Sequence, residues 1–507
     1  MERMKRPTSL VLFFYIQCSF VLFSVRPSVA KSTFRLTAEI QLAQEEIFRL
    51  HFIAGDSLLL LSKKKESLNL AIPWLRCKQQ FLQAFVGEDP KDYYDFKLMA
   101  ADFVENADKF SLDNNDSLAG FAVAEILLFK ALLHAKNSEY ISSAWDLHQC
   151  HSKITWCKKQ FPDYPVTAIV SGALDMVLGA VPANYEWLLH VVDMQGDIEI
   201  GRQQMLRFLQ TIQGGQYECM EDEVVFALAS LHASLTPDQP VNPLLLRLLK
   251  SGVVRNELIR NSWAGILMKQ RENDRALEVL SHPYDLSATL PLYFLDYRLG
   301  VARMRAFDKR ASADLYRFLR NFKGGNYRKA AWQKLAWMRL MDGDTIGYRS
   351  CMRSCLLAGD ELMDEDREAQ REAQEAVVPN VFLLRARILF DGGYYRKSLD
   401  ELTSIAVDFP LTTKDRLELT YRFARVLQCE GREEHAIRYY QNTLENGRNQ
   451  SWYFAANSAL MLGSIYEAHH DCSTARKYYA VCLSLRRHDY QNSIDQKAKA
   501  GLKRCEH

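Results

Sequence analysis

The chain has 507 residues, 48% hydrophobic and 25% charged, a balance that excludes a disordered polar chain and is long enough for several packed units. Its formal net charge is +2. The first thirty residues contribute +3 (Arg3, Lys5, Arg6 and Arg26 against Glu2), so the chain without them carries −1 and lacks the basic footprint that nucleic-acid binding requires.

The first predicted element is an export signal. A basic start, Met1-Glu-Arg-Met-Lys-Arg6, runs into apolar residues from Ser9 to Val25 and ends at Ser28-Val29-Ala30. This order predicts a signal peptide over residues 1–30 with cleavage after Ala30; the alternative is a retained anchor, because the run approaches the ~18 to 20 residues that span hydrocarbon. Gln17 stands before Cys18 where a bacterial lipoprotein signal has a small residue. Ten further cysteines are scattered through the chain, several at core-type helical positions, and read as buried small hydrophobes rather than a disulfide framework.

From about Phe34 apolar residues recur at helical spacing, and Pro and Gly fall between the periodic stretches, as at Gly87-Glu-Asp-Pro90, Phe161-Pro-Asp-Tyr-Pro165 and Thr236-Pro-Asp-Gln-Pro240. The chain is predicted all-α, in three parts: an N-terminal helical region over 31–165, divergent helical hairpins over 166–289, and a repeat array over 290–507. In the array, small residues recur where two helices must approach closely, with large ones on either side. Leu462-Gly463, Tyr466, Ala475, Tyr479 and Cys482 set the pattern. It returns as Phe423-Ala424, Leu427, Gly431, Ala436, Tyr440 and Thr443, and again as Arg385-Ala386, Leu389, Gly393, Ser398, Leu402 and Ile405. Leu299-Gly300, Ser312, Tyr316 and Leu319 supply a fourth copy, and Trp332–Ala336 with the turn Asp342-Gly-Asp344 a looser fifth.

These residues resemble the tetratricopeptide repeat, with its Leu-Gly pair, aromatic three residues on, and Ala and aromatic in the second helix. The resemblance implies a right-handed superhelix of stacked helical hairpins, an α-solenoid, here of an exported bacterial type. The segment from Ser171 to Met205 also resembles the eukaryotic inclusion-body-clearance family of the same superfamily, whose members carry no export signal.

Candidate chemistry is sparse. Gly-Gly-x-Tyr occurs at Gly214, Gly324 and Gly392, without the Lys and Ser/Thr offsets of a phosphate loop, and is read as turn punctuation with each Tyr an apolar anchor of the next helix. His148, Cys150, His151 and Cys157 cannot all reach one ion from a straight helix. Cys351 and Cys355, one helical turn apart, are read as free thiols because a bridge within one helix is strained. At His469-His470-Asp471-Cys472, Ser473 is read as the cap of the following helix. The acidic and basic run Asp360–Glu375 reads as a solvated helix with i, i+4 pairs. No nucleophile elbow, zinc helix, haem or calcium motif is present, so the expectation is a non-enzyme with no catalytic residue, cofactor or metal.

What the resemblance implies is a concave groove lined by the first helix of each repeat. Carried onto this sequence it selects Tyr297, Leu383, Arg387, Tyr421, Arg425, Gln428, Leu460, Ser464 and Glu467, with Arg387 and Arg425 as anchors for an acidic partner. The expected function is an exported adaptor or scaffold, in the periplasm or at the outer membrane, binding protein partners or peptide segments and meeting a membrane through a partner. The alternative is a small-ligand or glycan binder with a pocket between the N-terminal helices and the array, lined near Tyr93-Tyr94 or Tyr185-Glu-Trp187. N-terminal sequencing of the exported protein is expected to start at Lys31, and a start at Met1 would overturn cleavage.

Overall fold

The computed structural model describes residues 32–181, 194–237, 239–283, 290–405 and 411–506. The signal segment 1–30, Tyr185 and Trp187 lie outside the described residues. Helices α1 (Ala38–Phe48), α2 (Phe52–Lys65), α3 (Ala71–Gly87), α4 (Pro90–Asn114), α5 (Ser117–Lys136) and α6 (Tyr140–Gln160) come first. They are followed by α7 (Thr167–Gly179), α8 (Ile198–Thr211), α9 (Glu221–Leu235), α10 (Pro243–Gly252), α11 (Glu257–Lys269) and α12 (Asn273–Leu280). The C-terminal series is α13 (Phe294–Arg305), α14 (Ala311–Asn321), α15 (Arg328–Met341), α16 (Thr345–Leu357), α17 (Asp364–Glu375) and α18 (Val381–Asp391). It ends with α19 (Tyr395–Ser404), α20 (Thr413–Cys429), α21 (Glu433–Gly447), α22 (Phe454–Ala468), α23 (Cys472–Ser484) and α24 (Gln491–Arg504). Neighbouring helices pack in pairs, and among the described residues there is no strand, only an isolated bridge from Thr33 to Asn69.

One turn geometry joins the helices over and over. A residue with positive φ stands at Leu50, Asn115, Ser138, Arg271, Phe307, Gly343, Gly393, Gly431 and His470. In each case the next residue's N–H donates to the carbonyl five positions back, as from Asp308 to Arg303, Tyr394 to Leu389 and Asp471 to Tyr466, each at 2.9 Å. This is the six-to-one bond of the Schellman motif, which satisfies a terminal carbonyl and reverses the chain. Only three of the nine positions are glycine; at the others the left-handed conformation costs about 1 kcal/mol, offset by the hydrogen bond and the packing that follows.

Helix starts are capped by side chains the sequence places there: Asp89 before Pro90, Asp116, Asn256, Asp344 and Asn380 each accept a backbone N–H of the first turn, and Thr412 with Asp415 forms a capping box. At α23 the cap is Asp471, which accepts from Thr474 N–H; Ser473, expected in that role, lies inside the helix because the chain leaves the left-handed His470 one residue earlier.

The spaced small and large residues of the array are buried as their pattern requires: Ala386, Ser398, Leu402, Ala424, Ala436, Tyr440, Ala475 and Cys482 are fully inaccessible. Ten cysteines are free, eight of them buried. The buried core runs without a break from Phe34 to Ile388, and further clusters cover Leu383–Val426 and Leu417–Cys505. α5 is apolar and long enough to cross a membrane, with 78% of its most apolar window buried inside this core. The N-terminal helices are tied to later ones by polar bonds: Asn256 donates to the Phe48 carbonyl at 3.1 Å, and Glu88 accepts from Lys136 at 2.8 Å and from the Asn326 side chain at 2.9 Å.

A charged cluster sits inside that core. The Lys78 ammonium, fully buried on α3, lies 3.0 Å from Glu125 of α5 and 2.7 Å from Glu223 of α9. Trp74 Nε1 donates to Glu125, and Gln44 of α1 donates to Glu223. Four helices therefore converge on one cation held by two carboxylates. Burial, with Glu223 close by, pushes the Glu125 carboxyl up from its ordinary 4.5 to about 8. Because the folded value lies above the unfolded one, its contribution to stability is complete below about pH 4.5 and is lost as pH rises toward about 8. Lys78→Met leaves two buried carboxylates without a cation and is expected to cost about 3–5 kcal/mol in urea unfolding. Glu125→Gln keeps an acceptor for Trp74 and Lys78 and removes the excess charge, so its melting temperature at pH 8.5 is expected at or above that of the unaltered protein.

Candidate functional site

Three recesses open along one wall of the C-terminal series. Within this series the lining helices are α13, α15, α17, α18, α20 and α22, joined by α9 and α11 at the second recess and by the segment before α24, while α14, α16, α19, α21 and α23, the second helices of their pairs, contribute no residue. All three recesses share Arg387 and Glu368. The first, of about 310 Å³, lies against α18, α20 and α22; the second, of about 590 Å³, against α11, α13 and α15; the third, of about 350 Å³, runs along α17 and α20.

Arg387, Tyr421 and Arg425 meet in the first recess. Arg387 pairs with Glu368, and its guanidinium lies 5.0 Å from the centre of the Trp337 ring. Burial works against both charges, yet Arg387 and Lys334 hold the Glu368 carboxyl down at about 2. Arg425 donates to Tyr421 Oη at 2.9 Å and packs over Phe390 at 5.1 Å. Among the described residues no carboxylate pairs with it. Asn457 donates to the same Tyr421 oxygen, fixing the ring at the recess wall. Tyr297 also faces inward, buried in a floor of stacked rings with Phe294 at 5.3 Å and Tyr327 at 5.2 Å; it lines the second recess.

The other sequence-selected positions lie apart. Gln428 accepts from Tyr440 Oη at 2.7 Å inside its own helix pair. Ser464 is exposed on α22, and Glu467 is engaged by Tyr479 and by Arg504 of α24, which packs beside α22 where a further first helix would stand. Leu383 lines the third recess and is, like Leu460, buried. Tyr93 lines a separate recess of about 300 Å³ with Glu88, Lys136 and Asn326, while Tyr94 is exposed.

Residues not selected from sequence complete the wall. Arg305 is one helical turn beyond Val301, so the spacing that picks Tyr297 picks it too. Trp337 follows Ala336 as Arg387 follows Ala386 and shares that signal, while Arg298, Lys334 and Tyr453 carry none. The run Asp360–Glu375 corrects a second expectation: α17 is not a solvated helix. Ala369, Ala373 and Asp366 are buried, and Glu372 accepts from Gln333, Trp337 and Tyr348. Asp366 accepts the backbone N–H of Tyr327 and of Ala330, capping α15 from a distant part of the chain. These carboxylates satisfy donors on the inner helices, which is why an apparently polar segment is held inside.

Of the remaining candidates, Cys150 and Cys157 are buried on the face of α6 toward Gly120 of α5, and burial pushes both thiols up, Cys157 to about 11. His148 and His151 are half-buried. Gly392-Gly393 lies between α18 and α19, Gly324-Gly325 between α14 and α15, and Gly214-Gly215 after α8. Tyr394, expected as an apolar anchor, is polar in use: its hydroxyl donates to Asp274 and accepts from Asn273. A Cβ at Gly393, whose φ is +79°, would lie 2.0 Å from the Arg271 carbonyl oxygen, so this turn presses directly on the α11–α12 turn.

No protein-family model matches the chain, and no curated protein matches it. Asp366→Ala leaves two buried backbone N–H groups without an acceptor and is expected to lower unfolding free energy by about 2–4 kcal/mol; Asp366→Asn, which retains one acceptor oxygen, is expected to lose about half as much in the same urea titration.

Proposed function

We propose that the protein is an exported adaptor of the tetratricopeptide-repeat kind, a right-handed superhelix that holds an acidic, extended segment of a partner protein in its concave groove. The observation that carries this reading is Arg425: a guanidinium fixed by Tyr421 and Phe390, facing a recess beside Arg271 and Tyr453 and free of any carboxylate partner among the described residues. Tyr421, beside it, holds the Arg425 proton more firmly despite burial. Aromatic rings and arginine in a concave wall are the residues that supply most binding energy at protein interfaces, and an arginine fork matches a carboxylate.

The repeat reading is supported by the recurrence of one turn geometry nine times and by the burial of the small residues at Ala386, Ala424, Ala436 and Ala475. The signal-like residues 1–30 support export to a periplasm or outer-membrane surface. No catalytic step is assigned: action is by binding, and contact with a membrane would come through the partner.

Affinity purification of the tagged chain from its native host tests the groove. Arg425→Glu is expected to reduce the co-purifying partner at least about tenfold, with the free protein's melting temperature little changed, and raising the salt concentration is expected to weaken the unaltered complex. Full retention of the partner by Arg425→Glu would overturn the reading.

A further inference from the structure

The second recess has features that a peptide groove does not need. Four cations on its wall make no ion pair among the described residues: Lys269, Arg298, Arg305 and Lys334. The last three are instead held in place by neutral groups. Arg298 Nε donates to Asn261 Oδ1 at 2.7 Å, and its guanidinium lies 4.9 Å from the centre of the Phe294 ring. Arg305 donates to the Met268 carbonyl at 3.2 Å, and Lys334 donates to Gln333 Oε1 at 2.6 Å while lying 3.9 Å over Trp337.

Gly265 is a second, independent feature. It stands inside α11, where glycine weakens a helix relative to alanine. A Cβ there would meet both terminal nitrogens of Arg298 at 3.0 Å. The guanidinium packs against the bare backbone, and a methyl group there would push it by a few tenths of an ångström.

The charges facing the recess do not cancel. Six cationic and four acidic side chains line it. Of the acids, Glu368 is taken by Arg387 and Asp364 by Arg367, leaving Glu365 and Asp391 against Arg298, Arg305, Lys334 and Lys269. Burial destabilises the charged forms of Arg298, Arg305 and Lys334 and outweighs the nearby carboxylates Glu365, Asp391 and Glu368, none of which closes an ion pair with them. The floor is the ring cluster of Phe294, Tyr297 and Tyr327, and the recess is about 590 Å³, within the range of small-molecule sites.

We infer that the recess lined by α11, α13, α15, α17 and α18 is a binding site for a small organic anion with a flat apolar body, its acidic head group on Arg298 and Lys334 and its body on the aromatic floor. The fixed fork of Arg298 suits a carboxylate or a phosphate head group, and the rings take the remainder. Arg387, Glu368 and Asp391 line both this recess and the one around Arg425, but Arg298 and Lys334 line only this one, so the site does not rest on the adaptor reading.

The test uses the purified full chain with three probes of one shape: benzoate, phenyl phosphate and the uncharged benzamide. Benzoate, phenyl phosphate or both are expected to raise the melting temperature by about 2 °C or more at saturating concentration, with benzamide ineffective, and the larger shift identifies the head group. In calorimetric titration Arg298→Gln is expected to weaken that anion at least about tenfold. Gly265→Ala, which displaces the guanidinium while favouring the helix, is expected to weaken it too, with the free protein melting at or above the unaltered temperature. The proposal is overturned if neither anion shifts melting, if benzamide acts as strongly, or if Gly265→Ala folds and binds as before.

Discussion

The fold depends on one backbone event, a residue forced into the left-handed region so that the next N–H can reach back to a carbonyl five positions earlier. Each time it occurs a helix ends with its orphan carbonyl satisfied and the chain returns along its own length. Nine such turns make a set of helix pairs with nearly interchangeable entry and exit geometry. Pairs joined this way can bury only one face each, so each must stack on its neighbour. The stacking places the first helices of the C-terminal pairs on one wall and removes the second helices from it, as the lining of the three recesses shows.

A wall to which the second helices contribute nothing concentrates whatever the first helices carry, and here they carry arginine and aromatic residues. Such a concentration would repel itself without acids nearby. α17 supplies them: Asp366 caps α15, Glu372 takes three neutral donors, and Glu368 neutralises Arg387. Its carboxylates are thus spent mostly on fixing backbone and side-chain donors, and the cations at either end, Arg298 and Arg305 in one recess and Arg425 in another, are left to the neutral groups that orient them. A charge fixed by neutral hydrogen bonds remains available to a ligand in a way that a salt-bridged one does not.

The helical character of the chain and the buried positions of its array were legible because small and large residues at fixed spacing report where helices touch. Ala424, Ala436 and Tyr440 are buried for the reason their spacing announces. The inward positions of Arg387, Tyr421 and Arg425 were legible from the same phasing. What was not legible follows from contacts between residues far apart in sequence. Six of the nine left-handed turns use residues other than glycine, so Leu50 or Phe307 gave no sign of a turn. Asp366 and Glu372 looked like a solvated surface because their partners, Tyr327, Trp337 and Tyr348, lie on α15 and α16 or just before them. Glu467 looked free until α24 supplied Arg504.

Gly-Gly-x-Tyr at Gly392 joins these levels. Gly393 permits both the left-handed turn and the close approach of the Arg271 carbonyl, and Tyr394 then bonds Asn273 and Asp274 across the same contact. That contact sets the α11–α12 turn against the α18–α19 turn and carries Arg271 over Phe390, the ring that also supports Arg425. It also sets α11 opposite α18, the two helices between which the larger recess opens. The recess around Arg425 and the larger one therefore meet at one joint made of backbone and one tyrosine.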